Sequence, residues 1–200
     1  MSGPSSWWLD VPHNDEIWAY LDNCFSPEEC KKIIEIGTNP DLVSLGPGIV
    51  GGAGQSKVDE SIRKSSIGWF PVSNETDWIF RRLTDVIKVL NEKFFEYDLS
   101  FIENLQFTVY KEDSNFYGKH IDAMYESNAS RKLSISVQLT DPDDYEGGEL
   151  KIYSGEIPSV LSKKLGTCVA FPSWSLHEVT PVTKGTRYAL VTWVCGPRFR

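Results

Sequence analysis

Positive charge is in short supply in this sequence: 20 Lys and Arg stand against 28 Asp and Glu over 200 residues, a formal net charge of -8. A chain of that balance does not offer the basic surface that a polyphosphate needs, which argues against nucleic acid as its partner. Long apolar runs are missing too. Nothing approaches the roughly 20 residues of a bilayer-spanning helix, so no membrane span is expected. The first residues, Met1 to Trp8, have neither the basic start nor the apolar stretch of a secretory leader. Cysteine is sparse: Cys24, Cys30, Cys168 and Cys195 form no CxxC, which excludes a disulfide scaffold. They are expected as small buried hydrophobes in a reducing compartment, so a cytoplasmic location is the expectation. No acid–base dyad or activated nucleophile stands out.

What is present suits one globular domain over residues 1–200, with 40% apolar and 12% aromatic residues. Residues 1–100 read as helical support. Ile17 to Leu21 suits a short strand, and Ser26-Pro27-Glu28-Glu29 opens a helix with a capping box. Gly37 falls where that helix should stop, and Leu42 to Leu45 suits a second strand. Segment 46–55 holds five glycines in ten positions and reads either as a surface loop or as a flap over a substrate. Ile67 to Phe70 returns to strand. From Trp78 to Phe95 apolar residues recur at helical spacing, as in a long helix backing a sheet. Residues 101–196 read as β, with runs near 105–111, 116–122, 132–140, 149–153, 167–171 and 186–195. Helices first and many strands after predict an α+β chain with a jelly-roll core.

Histidine is rare, with three in the chain, and two of them fall into one pattern. His120 and Asp122 form an H-x-D pair, and His177 follows downstream. Residues two apart on a strand share a face, so His120 and Asp122 project together. Two histidines and a carboxylate with open positions left over suit a non-haem Fe(II) centre. Arg187 follows His177 by ten residues. If Thr183-Lys184-Gly185-Thr186 is a tight turn, strands 176–181 and 187–194 form a hairpin and Arg187 lies opposite Pro181. That is roughly 13 Å along the strand from His177 at about 3.3 Å per residue. A guanidinium there could hold the far carboxylate of a five-carbon diacid bound to the metal. Trp193 shares the parity of Arg187.

These segments resemble iron(II)/2-oxoglutarate-dependent oxygenases of the prolyl 4-hydroxylase-like branch. The resemblance rests on Tyr110 with Phe116-Tyr117-Gly118-Lys119-His120-Ile121-Asp122, on Arg131 to Leu139, and on Asp141 to Leu150 with its Gly147-Gly148 pair. Phe171-Pro172-Ser173, His177 to Val182, Gly185, Arg187, Tyr188 and Trp193 complete it. It spans roughly residues 100–196. It implies a double-stranded β-helix with Fe(II) on His120, Asp122 and His177, and 2-oxoglutarate held by Arg187 with help from Tyr110. Some relatives have a tyrosine at the position of Gln138 beside the arginine; here an amide stands there, still able to donate a hydrogen bond.

The chemistry implied is hydroxylation of a peptidyl proline, of the procollagen-proline 4-hydroxylase type, with O2 as oxidant, succinate and CO2 as co-products and ascorbate as a stimulant. No catalytic group beyond the metal centre is expected. Arg131 and Trp174 are candidate contacts for a proline-containing peptide or protein. A hydroxylase of another residue or of a small molecule, and a jelly-roll module with a structural metal and no activity, stay open as alternatives. A nucleic-acid demethylase of the same superfamily would want a second arginine where Trp193 stands. The oligomeric state leaves no trace in the sequence.

Overall fold

The computed structural model describes residues 17–51, 56–123 and 130–197. The start of the chain, on which the leader expectation rests, and residues 52–55 of the glycine-rich segment lie outside the described residues. In chain order the elements are β1 (Ala19–Leu21), α1 (Pro27–Thr38), β2 (Gly46–Pro47), β3 (Arg63–Lys64), β4 (Ser66–Phe70) and α2 (Asp77–Leu90). There follow β5 (Phe101–Ile102), β6 (Leu105–Lys111), β7 (Asn115–His120), β8 (Ser130–Gln138), β9 (Tyr145–Gly147), β10 (Leu150–Tyr153), β11 (Ser159–Val160), β12 (Cys168–Pro172) and β13 (Leu176–Gly196).

α1 starts at its capping box. Ser26 Oγ accepts from the Glu29 N–H at 3.2 Å, and Glu29 Oε2 accepts from the Ser26 N–H at 2.9 Å. Arg82 of α2 donates to both Glu29 oxygens at 3.0 and 3.2 Å and ties the two helices together. Gly37 does not stop α1, which runs on to Thr38. It is instead where the helix touches the sheet, because a Cβ there would lie 2.6 Å from the Phe107 ring. Leu42–Leu45 is not a strand either. The Leu42 and Val43 N–H groups both bond the Asn39 carbonyl in a turn, which takes them out of any ladder, and pairing begins only at Gly46. α2 buries Ile79, Leu83, Val86, Ile87 and Leu90 as their spacing requires. The α-helix ends at Leu90 rather than Phe95, and one wider π-turn covers Asn91–Phe95. There the Asn91 side chain bonds both backbone groups of Tyr97 and closes the segment.

The strands form two sheets that share β13. The larger runs β1-β12-β8-β13-β6-β4-β2. The smaller joins β7, β9 and β10 to the first half of β13, with β3 outside β7 and β11 outside β10. Alternation on the larger sheet sorts its two faces. Leu105, Phe107, Val109, Leu133, Ile135, Val137, Leu190 and Val194 pack against α1 and α2 in the main core. Each such Leu, Ile, Val or Phe contributes about 1.5–3 kcal/mol relative to an exposed side chain. The opposite face carries Gln106, Thr108, Tyr110, Ser134, Ser136, Arg187, Val191 and Trp193 into the space between the sheets. A smaller apolar cluster of Leu150, Ile152, Leu161, Val169, Phe171, Val179 and Val182 fills the rest of that space.

Two expectations about the strands need correction. The strand expected over 116–122 ends at His120. Asp122 lies beyond it, anchored by its N–H to the Ser173 carbonyl at 2.9 Å. The hairpin expected around 183–186 does not form: β13 is one strand of 21 residues. Gly185 has a positive φ of 71°, which suits a turn or a bulge equally well. A bulge results because β9 lies alongside: Lys184 pairs with Glu146 and Gly185 with Tyr145, with register shifts between Val182 and Lys184. The strand bends there and passes from the smaller sheet into the larger.

Candidate metal and co-substrate site

β13 brings the two halves of the site together with one neighbour on its flank. His177 pairs with His120 of β7, and ten residues on, Arg187 pairs with Tyr110 of β6. The β6–β7 segment runs antiparallel to β13 through the bend, so the spacing of ten residues recurs on both strands.

His120 Nδ1 lies 2.7 Å from the Gly118 carbonyl and His177 Nδ1 lies 2.9 Å from the Ser175 carbonyl. A carbonyl only accepts, so each Nδ1 carries a proton, and each ring in its neutral form presents an Nε2 lone pair. The Nε2 atoms converge on Asp122, at 3.6 Å from Oδ1 for His120 and 3.4 Å from Oδ2 for His177. Ser134 Oγ donates to Asp122 Oδ2 at 2.8 Å and is itself 3.0 Å from Ser173 Oγ. Tyr117 stacks on the His120 ring with centroids 3.5 Å apart, and Phe171 meets the His177 ring edge-on at 4.7 Å. Ligating atoms of the three residues all lie within 4.8 Å of one another. Two imidazole nitrogens and one carboxylate oxygen, oriented in advance by second partners, fit a divalent iron and leave positions free on it.

The electrostatics agree with that fit. Burial opposes the Asp122 charge, but the hydrogen bond and charge of His177, with smaller help from His120 and Trp193, hold its carboxyl well below the usual carboxylate range. Burial pushes His120 down to about 4, and the neighbouring His177 adds to that. Burial works against protonated His177 as well, yet there the hydrogen bond and charge of Asp122 win and raise its pKa. The carboxylate is therefore ionised and one imidazole resists protonation, which is what a cation requires of its ligands.

Arg187 is 2% exposed, and no carboxylate of the described residues pairs with it. Nη2 donates to Gln138 Oε1 at 3.0 Å, Nε is buried without a partner, and the guanidinium carbon lies 5.4 Å from the Tyr110 ring centroid. An arginine only donates, so the Gln138 amide oxygen must face it. A buried cation left with an unpartnered N–H fits an anionic ligand such as a carboxylate.

His120, Asp122, His177, Tyr110 and Arg187 all line one cavity of ≈ 730 Å³. Gln138 acts on that cavity through Arg187. Arg131 lines it too, but its guanidinium is engaged with Glu103 at 2.6 and 2.7 Å, stacks 3.9 Å from the Trp193 ring and reaches the Asp122 carbonyl at 3.4 Å. Trp174 is not among the lining residues and packs on Tyr97 at 5.7 Å. Ile49, Val50 and Gly51, with Ser56 and Lys57, border the mouth, while residues 52–55 of the expected flap lie outside the described residues. Sequence reasoning missed Arg63, Tyr117 and Ser134 as wall residues. Arg63 is 6% exposed, covers the Tyr117 ring at 4.4 Å and donates to Ser65, Gln106 and the Ile49 carbonyl. The parity of Ser134 on β8 was the one available hint.

Residues 105–195 match the family model described as the 2OG-Fe(II) oxygenase superfamily, so it is the jelly-roll segment that is similar to that superfamily. Among curated proteins, a PKHD-type hydroxylase of Alteromonas mediterranea is 45% identical over 88 residues, 41% of this chain and 39% of that protein. One from Gloeothece citriformis is 42% identical over 95 residues, 46% of this chain and 43% of that one. The chain thus spans about two fifths of the length of the curated relatives it matches. Among solved structures, a Pseudomonas putida prolyl-4-hydroxylase superposes with a TM-score of 0.71 at 20% identity, covering 92% of this chain and 94% of that one. A Trichoplax adhaerens prolyl hydroxylase, solved with a hypoxia inducible factor peptide fragment, gives 0.72 at 17% identity, with 89% and 83% covered. At such identities the likeness speaks for the fold, and it bears out the expected α+β double-stranded β-helix.

Proposed function

We propose that this chain is an Fe(II)- and 2-oxoglutarate-dependent dioxygenase that hydroxylates a peptidyl proline. The observation that carries the reading is the pairing of His177 with His120 and of Arg187 with Tyr110 around one cavity. His120 and His177 would offer Nε2 to the iron, and Asp122, oriented by Ser134, would offer its carboxylate. Arg187 would hold the far carboxylate of 2-oxoglutarate, with Gln138 fixing the guanidinium and Tyr110 within reach of the co-substrate. When bound, iron, 2-oxoglutarate and dioxygen supply the oxidising power that puts one oxygen atom into a C–H bond and releases succinate and CO2. The protein's own work is positioning and the exclusion of water by Phe171, Leu150, Val191 and Trp193.

A proline ring suits walls built from Tyr117, Trp69, Ile62 and Trp193, and the solved structures named as prolyl hydroxylases favour the same substrate class. Segment 46–55 would close over the peptide, and Arg131 would act at its rim. Stimulation by ascorbate and a procollagen-type target belong to the same proposal. So does a reducing, cytoplasmic setting, which the four buried free thiols support; no helix among the described residues is long and apolar enough to cross a membrane. The test is mass spectrometry of proline-containing peptides incubated with the protein, Fe(II), 2-oxoglutarate, ascorbate and air. One added oxygen on proline, lost in His177→Ala, is expected. Succinate without any oxidised peptide rules out a peptide substrate, and no succinate at all rules out the oxygenase.

A further inference from the structure

Cysteine is scarce in this chain, yet two of its four thiols meet away from the cavity, at the edge of the larger sheet. Leu21, the last residue of β1, pairs with Cys168, the first of β12. The chain then turns at Asn23, where φ is 55°, and the Cys24 N–H bonds the Gly166 carbonyl at 2.9 Å. The Cys24 thiol donates to the Leu21 carbonyl at 3.0 Å. Its sulfur in turn accepts from both the N–H and the thiol of Cys168. Both side chains are buried. Gly166 permits this close approach: it has a positive φ of 74°, and a Cβ there would run into the Phe25 carbonyl oxygen.

The two sulfurs are not alike. The hydrogen bond from Cys168 holds the Cys24 thiol below the usual thiol range in spite of its burial. The charge of Arg82, which donates to the Cys24 carbonyl at 2.7 Å, acts in the same direction. That same bond, with burial, pushes the Cys168 thiol up, so it keeps its proton. A thiolate is the form that attacks an oxidant, and a second thiol beside it converts the product into a disulfide. The other two cysteines lack this arrangement. Burial pushes Cys30 up to about 12, and its thiol faces the Gln138 carbonyl at 4.0 Å. The Cys195 thiol donates to Glu103 Oε1 at 3.3 Å.

We infer that Cys24 and Cys168 form a modification site at which hydrogen peroxide converts two thiols into one disulfide. The Cys24 sulfur attacks a peroxide oxygen and the O–O bond breaks. A sulfenic acid forms on Cys24, and the departing hydroxide leaves as water with the Cys24 proton. The Cys168 sulfur then attacks the Cys24 sulfur and the S–O bond breaks, releasing a second water with the Cys168 proton. The thiols are oxidised by two electrons and the peroxide is reduced by two. The new bond ties the entry to α1 to β12, the strand that carries Phe171 and leads to Ser173, whose carbonyl anchors Asp122. None of this rests on the oxygenase reading.

The reduced full chain, with Mn(II) present and iron absent so that no iron reacts with the oxidant, is treated with hydrogen peroxide. It is then denatured, alkylated and weighed. A loss of two hydrogens is expected, with two of the four thiols still open to alkylation. A digest should contain the joined Cys24 and Cys168 peptides, and dithiothreitol should restore all four thiols. Cys24→Ser should give no link, and Cys30→Ser should link as the wild type does. The linked protein should melt roughly 5–15 °C above the reduced one. Four open thiols after peroxide overturn the inference, and so does oxygen added to Cys24 without a link. A link between any other pair overturns it as well. A linked protein that melts no higher than the reduced one refutes the tie between α1 and β12.

Discussion

Replacing Arg187 with Met should move stability and ligand binding in opposite directions, and the reason is the missing counter-charge. The guanidinium is 2% exposed and donates to Gln138 at 3.0 Å, with no carboxylate paired to it among the described residues. Keeping an ion buried without a partner charge costs several kcal/mol. Arg187→Met relieves that cost but leaves Gln138 Oε1 without its donor, a loss of about 1–3 kcal/mol. The variant without ligand should therefore match the wild type or exceed it by up to roughly 2 kcal/mol, about 4–8 °C in Tm for a chain of this length. With 2-oxoglutarate the order reverses. Losing one side of a desolvated charge pair costs about 2–5 kcal/mol of binding, roughly 30- to 5,000-fold in Kd. At a hundredfold excess over its Kd the acid should stabilise the wild type by about 2.7 kcal/mol, or about 5–10 °C. The variant should gain almost nothing. Calorimetry with Mn(II) in place of Fe(II), with and without 2-oxoglutarate, reads both quantities. A ligand-free variant that loses more than about 2 kcal/mol, or one that keeps half of the wild-type shift, refutes the assignment of Arg187 to an anionic ligand.

The remaining perturbations address the metal face, pH and the bend in β13. Ser134→Ala removes the hydroxyl that bonds Asp122 Oδ2, and Fe(II) affinity should drop about 10–100-fold in a chelator competition while the fold stays intact; an unchanged affinity means that the serine does not orient the carboxylate. His120 takes a proton near 6.5 in the unfolded chain but only near about 4 when folded. Between those values the unfolded chain binds more protons, so acidification from pH 6.5 to 4 should cost the metal-free protein up to about 3 kcal/mol through this group. His177 has a raised pKa and contributes oppositely, with stability present at low pH and lost as pH rises. The difference between wild type and His120→Gln in urea titrations across that range isolates the His120 share, and parallel curves would contradict it. Gly185→Ala would place a Cβ against the Asp144 carbonyl oxygen at a positive φ, so a loss of at least about 2 kcal/mol is expected in urea. A loss below about 0.5 kcal/mol would mean that the bend tolerates a side chain.

His120, Asp122, His177 and Arg187 were legible in the sequence because they belong to rare residue types at a spacing that few other arrangements explain. The main core was legible too, since α2 and strands β6, β8 and β13 keep their apolar residues at their proper periods. Arg63 and Ser134 were not, because each matters through a partner that the sequence does not set beside it: Tyr117 and Asp122. The hairpin expectation failed for a related reason. Gly185 fits a turn and a bulge alike, and the choice between them belongs to β9, which lies about forty residues earlier and pairs with this stretch.

That failure changes how Arg187 reaches the site. A hairpin would have set it opposite Pro181, within one two-stranded ribbon. It lies opposite Tyr110 instead, in a different sheet from His177, and the link between the two positions is a shared register. Ten residues separate Tyr110 from His120 and ten separate His177 from Arg187, and the register shifts along the way cancel at the two ends. A single insertion in one strand would break one of the two cross-strand pairs unless the other strand gained a residue as well. The length of the cavity between the metal ligands and the arginine is therefore set by two strands together, and the equal spacings were visible in the sequence before either strand had a partner.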